Sequence, residues 1–357
     1  MVKNRFVLID AFALIYRAYY ALPPSMTTDG HPVHAAYGFA SALLSAIRIL
    51  QPEYLAVGMD KGKSHRIKSF EQYKIHRKPT PEDLISQLPY VVDVLKTMNI
   101  PYFAVPGYEG EDIIATIIAE NKTASHPEPS GEGSLGLSEN SHSREIPRSA
   151  RNDNEMEYII VTGDLDLLQL VDEQTKVYSM ARGVNQAVLY DIAKVQERYG
   201  LSPQQFVDFK ALKGDASDNI PGVKGVGEKT ASNLIREFES LDNLYQEISK
   251  SEFLISNKMS KSLPPGQNDK MTKKIQNNKK ISERNIRLLL ENQDTAFLSQ
   301  KLSKITADAP LDFTLADAKV HQYDKEKTIA LFKTLGFKSL IDRLPGEEKQ
   351  EPQPRLF

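Results

Sequence analysis

Three apolar, β-branched runs in this chain each stop at or just before an aspartate: RFVLID at Asp10, LAVGMD at Asp60 and YIIVTGD at Asp164. Runs of this length and character read as parallel strands buried on both faces. In open α/β sheets ligands sit beyond the carboxyl ends of the strands, so the three aspartates should converge on one rim. Other segments add acids to the same inventory: GYEGED brings Glu109, Glu111 and Asp112, VTGDLD adds Asp166, and GDASDN brings Asp215 and Asp218. Carboxylates crowded in this way repel one another unless cations neutralise them. The chain has no Cys and no His spacing that suggests zinc, so hard cations with oxygen ligands, Mg²⁺ or Mn²⁺, suit the set. The chemistry indicated is two-metal phosphoryl hydrolysis.

The 357 residues are 40% hydrophobic and 26% charged, a globular composition with room for two domains. Absence of Cys excludes disulfides, thiolate metal sites and cysteine nucleophiles, and suits a reducing cytoplasm. The start, MVKNRFVLID, has too short an apolar run for a signal peptide, and no stretch approaches a membrane span, so no membrane partner is expected. A formal net charge of −2 hides an uneven distribution. Residues 61–78 carry Lys61, Lys63, Arg66, Lys68, Lys74, Arg77 and Lys78 against Glu71 alone, and residues 270–287 are also basic. Basic stretches beside an acidic rim suit an anionic polymer held by cationic arms. Taken alone, such stretches read more readily as solvated surface helices, but the first starts immediately after Asp60, which favours the functional reading.

Strand and helix signals alternate through the first half, which argues for a mostly parallel sheet with helices on both faces. The stretch PEDLISQLPYVVDVLKTMN reads as one helix within this alternation. Residues 122–156, rich in Ser, Gly, Pro, Glu and Asn, interrupt it and read as a disordered surface insertion without a catalytic role. After about residue 190 the signals become helical. Between two of these helices lies GDASDNIPGVKGVGEKTA, where Gly222, Gly225 and Gly227 permit a tight hairpin with exposed backbone amides ahead of a helix start, a ready phosphate site.

With these residues in view, the chain resembles the 5′→3′ exonuclease and flap endonuclease domain found at the N-terminus of bacterial DNA polymerase I. The likeness runs from about residue 4 to about residue 343, apart from the insertion, and is most specific in GDASDNIPGVKGVGEKTA, VTGDLDLLQL, IYRAYYAL and YKIHRKPTPEDL. It implies a PIN-like α/β core followed by a helix–three-turn–helix domain. The expected division is a nuclease core at 1–185 with an arch segment at 61–90, a helical DNA-binding domain with closing helices at 186–343, and a flexible tail at 344–357.

By the same resemblance Asp10, Asp60, Glu109, Glu111, Asp112, Asp164, Asp166, Asp215 and Asp218 would hold two Mg²⁺ or Mn²⁺ ions, some through water. Glu109 and Asp112 lie three apart at an expected helix start, as do Asp215 and Asp218, so each pair should share a face. Acids at helix starts also complement the helix dipole without any metal, which could account for one such pair. Arg17, Lys74 and Arg77 match positions that contact the scissile phosphate or the single strand. Tyr73 matches an aromatic position in the arch where it could stack on a base, although its spacing equally fits packing beside Phe70. Arg66 and Lys78 belong to the DNA-facing basic run. Gly222, Lys224, Gly225, Gly227, Lys229 and Thr230 would grip the duplex backbone, with K⁺ at the hairpin. The expected substrate is DNA with 5′ ends, nicks or flaps, in a cytoplasmic, nucleoid-associated setting of replication and repair.

The sequence departs from the family pattern in several places. Where the family commonly has EADD this chain has EGED, so Glu111 is one methylene longer and Gly110 replaces Ala, at a helix cost of up to about 1 kcal/mol. Ala11 stands where Gly is usual, and the basic segment after Asp60 is one residue shorter. Activity is expected to survive; the alternative is a catalytically weakened DNA-junction binding module. An aspartyl-phosphate phosphatase would need a second Asp two residues after Asp10, and that position is Phe12. The chain stops at Phe357 soon after the helical domain, so no polymerase portion is expected within it. In its tail, Gln353, Leu356 and Phe357 match the short peptide by which bacterial replication enzymes dock onto the sliding clamp, a match that accident would also explain.

Overall fold

The computed structural model describes residues 4–24, 27–28, 30–125, 156–180, 186–249, 281–320 and 322–346. β1 (Arg5–Asp10) leads into α1 (Ala11–Ala21), then a small ribbon of β2 (Thr27–Thr28) and β3 (His31–Pro32), α2 (His34–Leu50) and β4 (Tyr54–Gly58). Short helical turns α3 (Arg66–Ser69) and α4 (Glu82–Ile85) precede α5 (Leu88–Thr97), β5 (Tyr102–Phe103) and α6 (Gly110–Ser125). β6 (Glu157–Thr162), β7 (Thr175–Ser179) and β8 (Val188–Tyr190) follow. One six-stranded sheet results, in the order β5-β4-β1-β6-β7-β8, parallel except that β8 runs antiparallel to β7. The strands that end in acids, β4, β1 and β6, are thus immediate neighbours.

Side chains alternate across a strand, so an apolar run with no polar gaps must meet a core on each face. Along β1, Phe6 and Leu8 join Ile113 and Ile117 of α6, whereas Val7 and Ile9 join Phe39 and Leu43 of α2. The helical half begins with α7 (Ile192–Tyr199), α8 (Phe206–Lys213) and α9 (Glu228–Phe238), then a helical stretch at 241–249. α10 (Glu283–Glu291) and α11 (Gln293–Ser303) come next. Phe209, Leu212, Ile235 and Leu289 enter the same core as Phe6 and Leu8, so these helices seal directly onto the sheet.

The last helices return to the opposite face. α12 (Lys325–Thr334) and α13 (Lys338–Ile341) place Phe332, Phe337 and Leu340 in the core that holds Val7 and Ile9. Thr328 donates to the Thr97 carbonyl at 3.1 Å, and Arg343 donates to the Ser41 and Ser45 hydroxyls at 2.9 and 2.6 Å.

Two expectations from the sequence change in the fold. The single helix expected over PEDLISQLPYVVDVLKTMN divides into α4 and α5, because Pro89 has no N–H to give a helix interior. The buried Gln87 spans the break, donating to the Asp83 carbonyl at 2.9 Å and accepting from the Ala35 amide at 2.7 Å. α6 runs on through Lys122, the first residue of the expected insertion, whose ammonium bonds Thr175 at 2.9 Å; residues 126–155 lie outside the described part. Most of the second basic stretch and the tail with Gln353, Leu356 and Phe357 also lie outside it. Among the described residues no helix is long and apolar enough to cross a membrane.

Candidate active site

The register of the sheet brings the strand-end acids together. Asp10 pairs with Gly58 across β1 and β4, two residues before Asp60, and Ile9 pairs with Val161, one residue before Thr162. Asp10 is both the last residue of β1 and the cap of α1, accepting from the Ala13 amide at 3.2 Å. Its other oxygen accepts from the Thr162 hydroxyl at 2.7 Å, and the Thr162 oxygen in turn accepts from the Asp164 amide at 2.9 Å. Burial, then Asp60 and Asp164, push the Asp10 carboxyl up to about 7 despite the Thr162 bond. Asp60 accepts from the Gly110 amide at 2.7 Å and so ties the end of β4 to the start of α6.

Gly110 is a close-approach residue rather than a mere helix cost. A Cβ on Gly58 would stand 2.6 Å from the Gly110 carbonyl oxygen, and one on Gly110 would stand 3.3 Å from an Asp60 oxygen. Two glycines therefore let strand and helix meet backbone to backbone.

The EGED segment divides its acids between tasks. Both Asp112 oxygens are occupied: Arg66 binds them at 2.9 and 2.8 Å, the Thr306 amide and hydroxyl reach one at 2.9 and 3.2 Å, and the Glu109 amide reaches the other at 3.1 Å. Burial would raise this carboxyl, but Arg66 and the two amides hold it below its ordinary range. In this structure its lone pairs are taken up by the protein. Glu109 accepts from Lys74 at 2.6 Å. Glu111 lies 3.5 Å from Arg66, and burial followed by Glu109 raises its carboxyl well above the ordinary value, against Arg66 and Lys74.

On the far side of the rim the acids meet a lysine that sequence reasoning missed. Lys210, in the middle of α8, donates to Asp215 at 2.7 Å and contacts Asp166. Burial and Asp164 push Asp166 up to about 6, with Lys210 opposing. Asp215 experiences burial too, yet Lys210 and Ser217 bring it down to about 2. Asp215 and Asp218 do not share a helix face. They occupy a turn closed by reciprocal Asp215–Ile220 backbone bonds of 2.9 and 2.8 Å, and Asp218 contacts Arg77 with Lys74 3.7 Å away.

The arch residues are correspondingly drawn inward. Tyr73 is 3% exposed, packs with Ile220 and Leu302, and directs its hydroxyl at Glu109 and Asp218, 3.4 Å from each. Its ring packs in that cluster with Phe70 beside it. Arg66, also 3% exposed, pairs with Asp112 and donates to the Lys304 carbonyl at 2.9 Å. Arg17 donates to the Met180 carbonyl, and Lys78 is exposed. Lys74 adopts a left-handed φ of 57°, and its amide donates to the Asp218 carbonyl at 2.9 Å.

The glycine hairpin is tight for a visible reason. Gly222 has a φ of 62°, and a Cβ there would stand 2.4 Å from the Gly214 nitrogen. Not all its amides face solvent: Gly222 donates to Ser299 at 3.0 Å, Val223 to Leu212 at 2.8 Å and Val226 to Val223 at 3.0 Å. Gly227 caps the start of α9, with Lys224 and Lys229 exposed and Thr230 partly so.

Among the described residues, no three acidic or histidine side chains already stand arranged to hold one ion. The donor set nevertheless fits a hard cation. It is all oxygen, and Asp10 and Glu111 are raised by burial and, after it, by neighbouring carboxylates, an environment in which a bound cation would favour their charged forms.

Residues 5–128 match the family described as 5′-3′ exonuclease, N-terminal resolvase-like domain, and residues 201–326 match 5′-3′ exonuclease, C-terminal SAM fold. DNA polymerase I of Caldicellulosiruptor bescii is 33% identical over 343 residues, covering 95% of this chain and 33% of that protein. DNA polymerase I of Bacillus subtilis is 32% identical over 352 residues, covering 98% and 33%. The chain thus spans about one third of the length of these curated relatives. In fold it is similar to the bacteriophage T5 flap endonuclease, solved with DNA and metal ions: TM-score 0.58, 19% identity, 93% of this chain and 99% of that one.

Proposed function

Because the chain belongs to the 5′-3′ exonuclease family, with both family segments in order, we propose that it is a divalent-metal-dependent 5′→3′ exonuclease and 5′-flap endonuclease acting on DNA. The observation that carries this reading is the meeting of Asp10, Asp60 and Asp164 at adjacent strand ends, with Asp10 pushed up to about 7 by burial and, after it, by Asp60 and Asp164. Asp10, Asp60, Glu109, Glu111 and Asp164, with Asp166, Asp215 and Asp218 across the rim, would hold two Mg²⁺ or Mn²⁺ ions, which supply water activation and charge neutralisation at a phosphodiester when bound. Asp112 acts one step back, fixing Arg66 and the start of α6. Lys74 and Arg77, exchanging carboxylate partners for phosphate oxygens, orient the scissile strand together with Arg17. Lys78, Lys224, Lys229 and Thr230, beside Gly222, Gly225 and Gly227, take the duplex backbone, and K⁺ at that turn belongs to the same reading.

Residues 1–185 are assigned to the nuclease core, 186–343 to the helical domain and 344–357 to a tail. α12 and α13, the closing helices within 186–343, pack on the core and brace it. Cytoplasmic residence and docking of Gln353, Leu356 and Phe357 on a sliding clamp are part of the proposal. Anisotropy titration of the tail peptide against clamp should show binding that a Leu356→Ala, Phe357→Ala peptide loses.

A second reading, a DNA-junction binder without turnover, is favoured by Glu111 and by the lysine ammonium groups already seated on the rim. Cleavage of a labelled 5′-flap duplex separates the two. Turnover should require Mg²⁺ and vanish in Asp10→Ala, Asp60→Ala and Asp164→Ala proteins that still bind the flap. Cleavage in excess chelator would defeat the metal assignment, and binding without cleavage would establish the second reading.

A further inference from the structure

We propose that Lys210 is a built-in counter-ion, displaced from Asp166 and Asp215 when a divalent cation binds. The inference rests on the metal reading above and extends it to a residue outside the expected ligand set. Lys210 rises from the interior of α8 with its side chain only 5% exposed. Its ammonium is 2.7 Å from an Asp215 oxygen and in contact with an Asp166 oxygen. Those two carboxylates come from segments 44 and 5 residues distant from Lys210. Lys210 bridges the two carboxylates in this structure.

A buried ammonium and a divalent cation cannot both occupy the space between the same two carboxylates, since like charges at contact distance in a desolvated site repel strongly. An arginine there would be hard to move, because its planar fork holds two oxygens at once. A lysine is a point charge on a flexible four-carbon stem and can swing away. Without metal, Lys210 keeps Asp166 and Asp215 from repelling each other. With metal, its task passes to the ion and its charge is freed toward the site. Metal affinity is then the difference between the pull of the carboxylates on the ion and their hold on Lys210.

Two measurements test this, neither of them turnover. The first is titration of the full chain with Mn²⁺ alone, followed by electron paramagnetic resonance. Lys210→Met should bind Mn²⁺ about tenfold more tightly than the parent. Equal or weaker binding by Lys210→Met would overturn the proposal while leaving the metal reading intact. No binding by either protein would remove the metal reading and this inference with it.

The second measurement needs no variant, which matters if Lys210→Met folds poorly. Amine-reactive labelling of the parent, read by mass spectrometry, should find Lys210 protected in chelator and labelled on addition of Mn²⁺. Exposed Lys224 serves as the unchanged reference. Protection that persists with metal bound would show that the ammonium stays in place, and the proposal would fall.

Discussion

The Arg66 guanidinium meets the Asp112 carboxylate at two points, 2.9 and 2.8 Å long, where Asp112 is fully buried and Arg66 is 3% exposed. The pair joins the base of the arch to the first turn of α6, and the Thr306 amide extends it to the segment after α11. Breaking a buried pair by removing one partner strands the other charge without water. Arg66→Ala should therefore cost roughly 3–5 kcal/mol in urea unfolding. It should leave the salt dependence of DNA binding almost unchanged. A loss below about 1 kcal/mol, as for an exposed ion pair, would show that the charge is solvated.

Lys74 and Arg77 differ from Arg66 in having open sides, their side chains being 19% and 47% exposed. Each is expected to trade a carboxylate for a phosphate when DNA arrives. Lys74→Ala and Arg77→Ala should each reduce the slope of log affinity against log salt by about one unit. Identical slopes in parent and variants would leave both as structural counter-ions.

The Asp10 carboxyl makes the metal-free protein sensitive to pH. Its folded value of about 7 stands above the ordinary 3.8, so the folded chain keeps a proton that the unfolded chain releases. The associated stability is full below about pH 4 and is lost as pH rises through about 7. Asp10→Asn, which is never charged, should exceed the parent in chelator by up to roughly 4 kcal/mol at pH 8 and by less than half of that at pH 5. Unfolding free energies at the two pH values decide it; a gain that does not vary with pH would rule out this titration.

The Gly222 position leaves no room for a side chain. Gly222→Ala would combine a φ of 62° with a Cβ 2.4 Å from the Gly214 nitrogen, so the hairpin must shift. A loss of roughly 1–3 kcal/mol is expected, together with weaker duplex binding. Gly227→Ala, where a Cβ meets nothing within 4 Å, is the matched control for strain and should leave the unfolding free energy nearly unchanged. Equal effects of the two substitutions would argue against strain as the cause.

Much of this architecture is legible in the amino-acid sequence. RFVLID, LAVGMD and YIIVTGD announce central parallel strands because their patterning is local: a run without polar gaps is compatible only with burial on both faces. That Asp10, Asp60 and Asp164 gather on one rim follows from strand direction alone, since neighbouring parallel strands end on the same side. The hairpin around Gly222 and Gly225 is legible for a similar reason, being written in residues close together in the chain.

What the tertiary structure decided is which groups share the interior. Tyr73 and Arg66 lie in a run whose composition suggests a solvated arm, yet both are buried, because Ile220 and Leu302 in one case and Asp112 in the other arrive from far along the chain. Lys210 reads as one more helical lysine until Asp166, 44 residues away, is seen against it. Thr306, 194 residues from Asp112, carries no signal of its own as the group that saturates that carboxylate. Periodicity and turn chemistry are properties of neighbours in sequence. The balance of charge at a buried site belongs to neighbours in space, because desolvation makes each carboxylate depend on whichever cation the fold delivers to it.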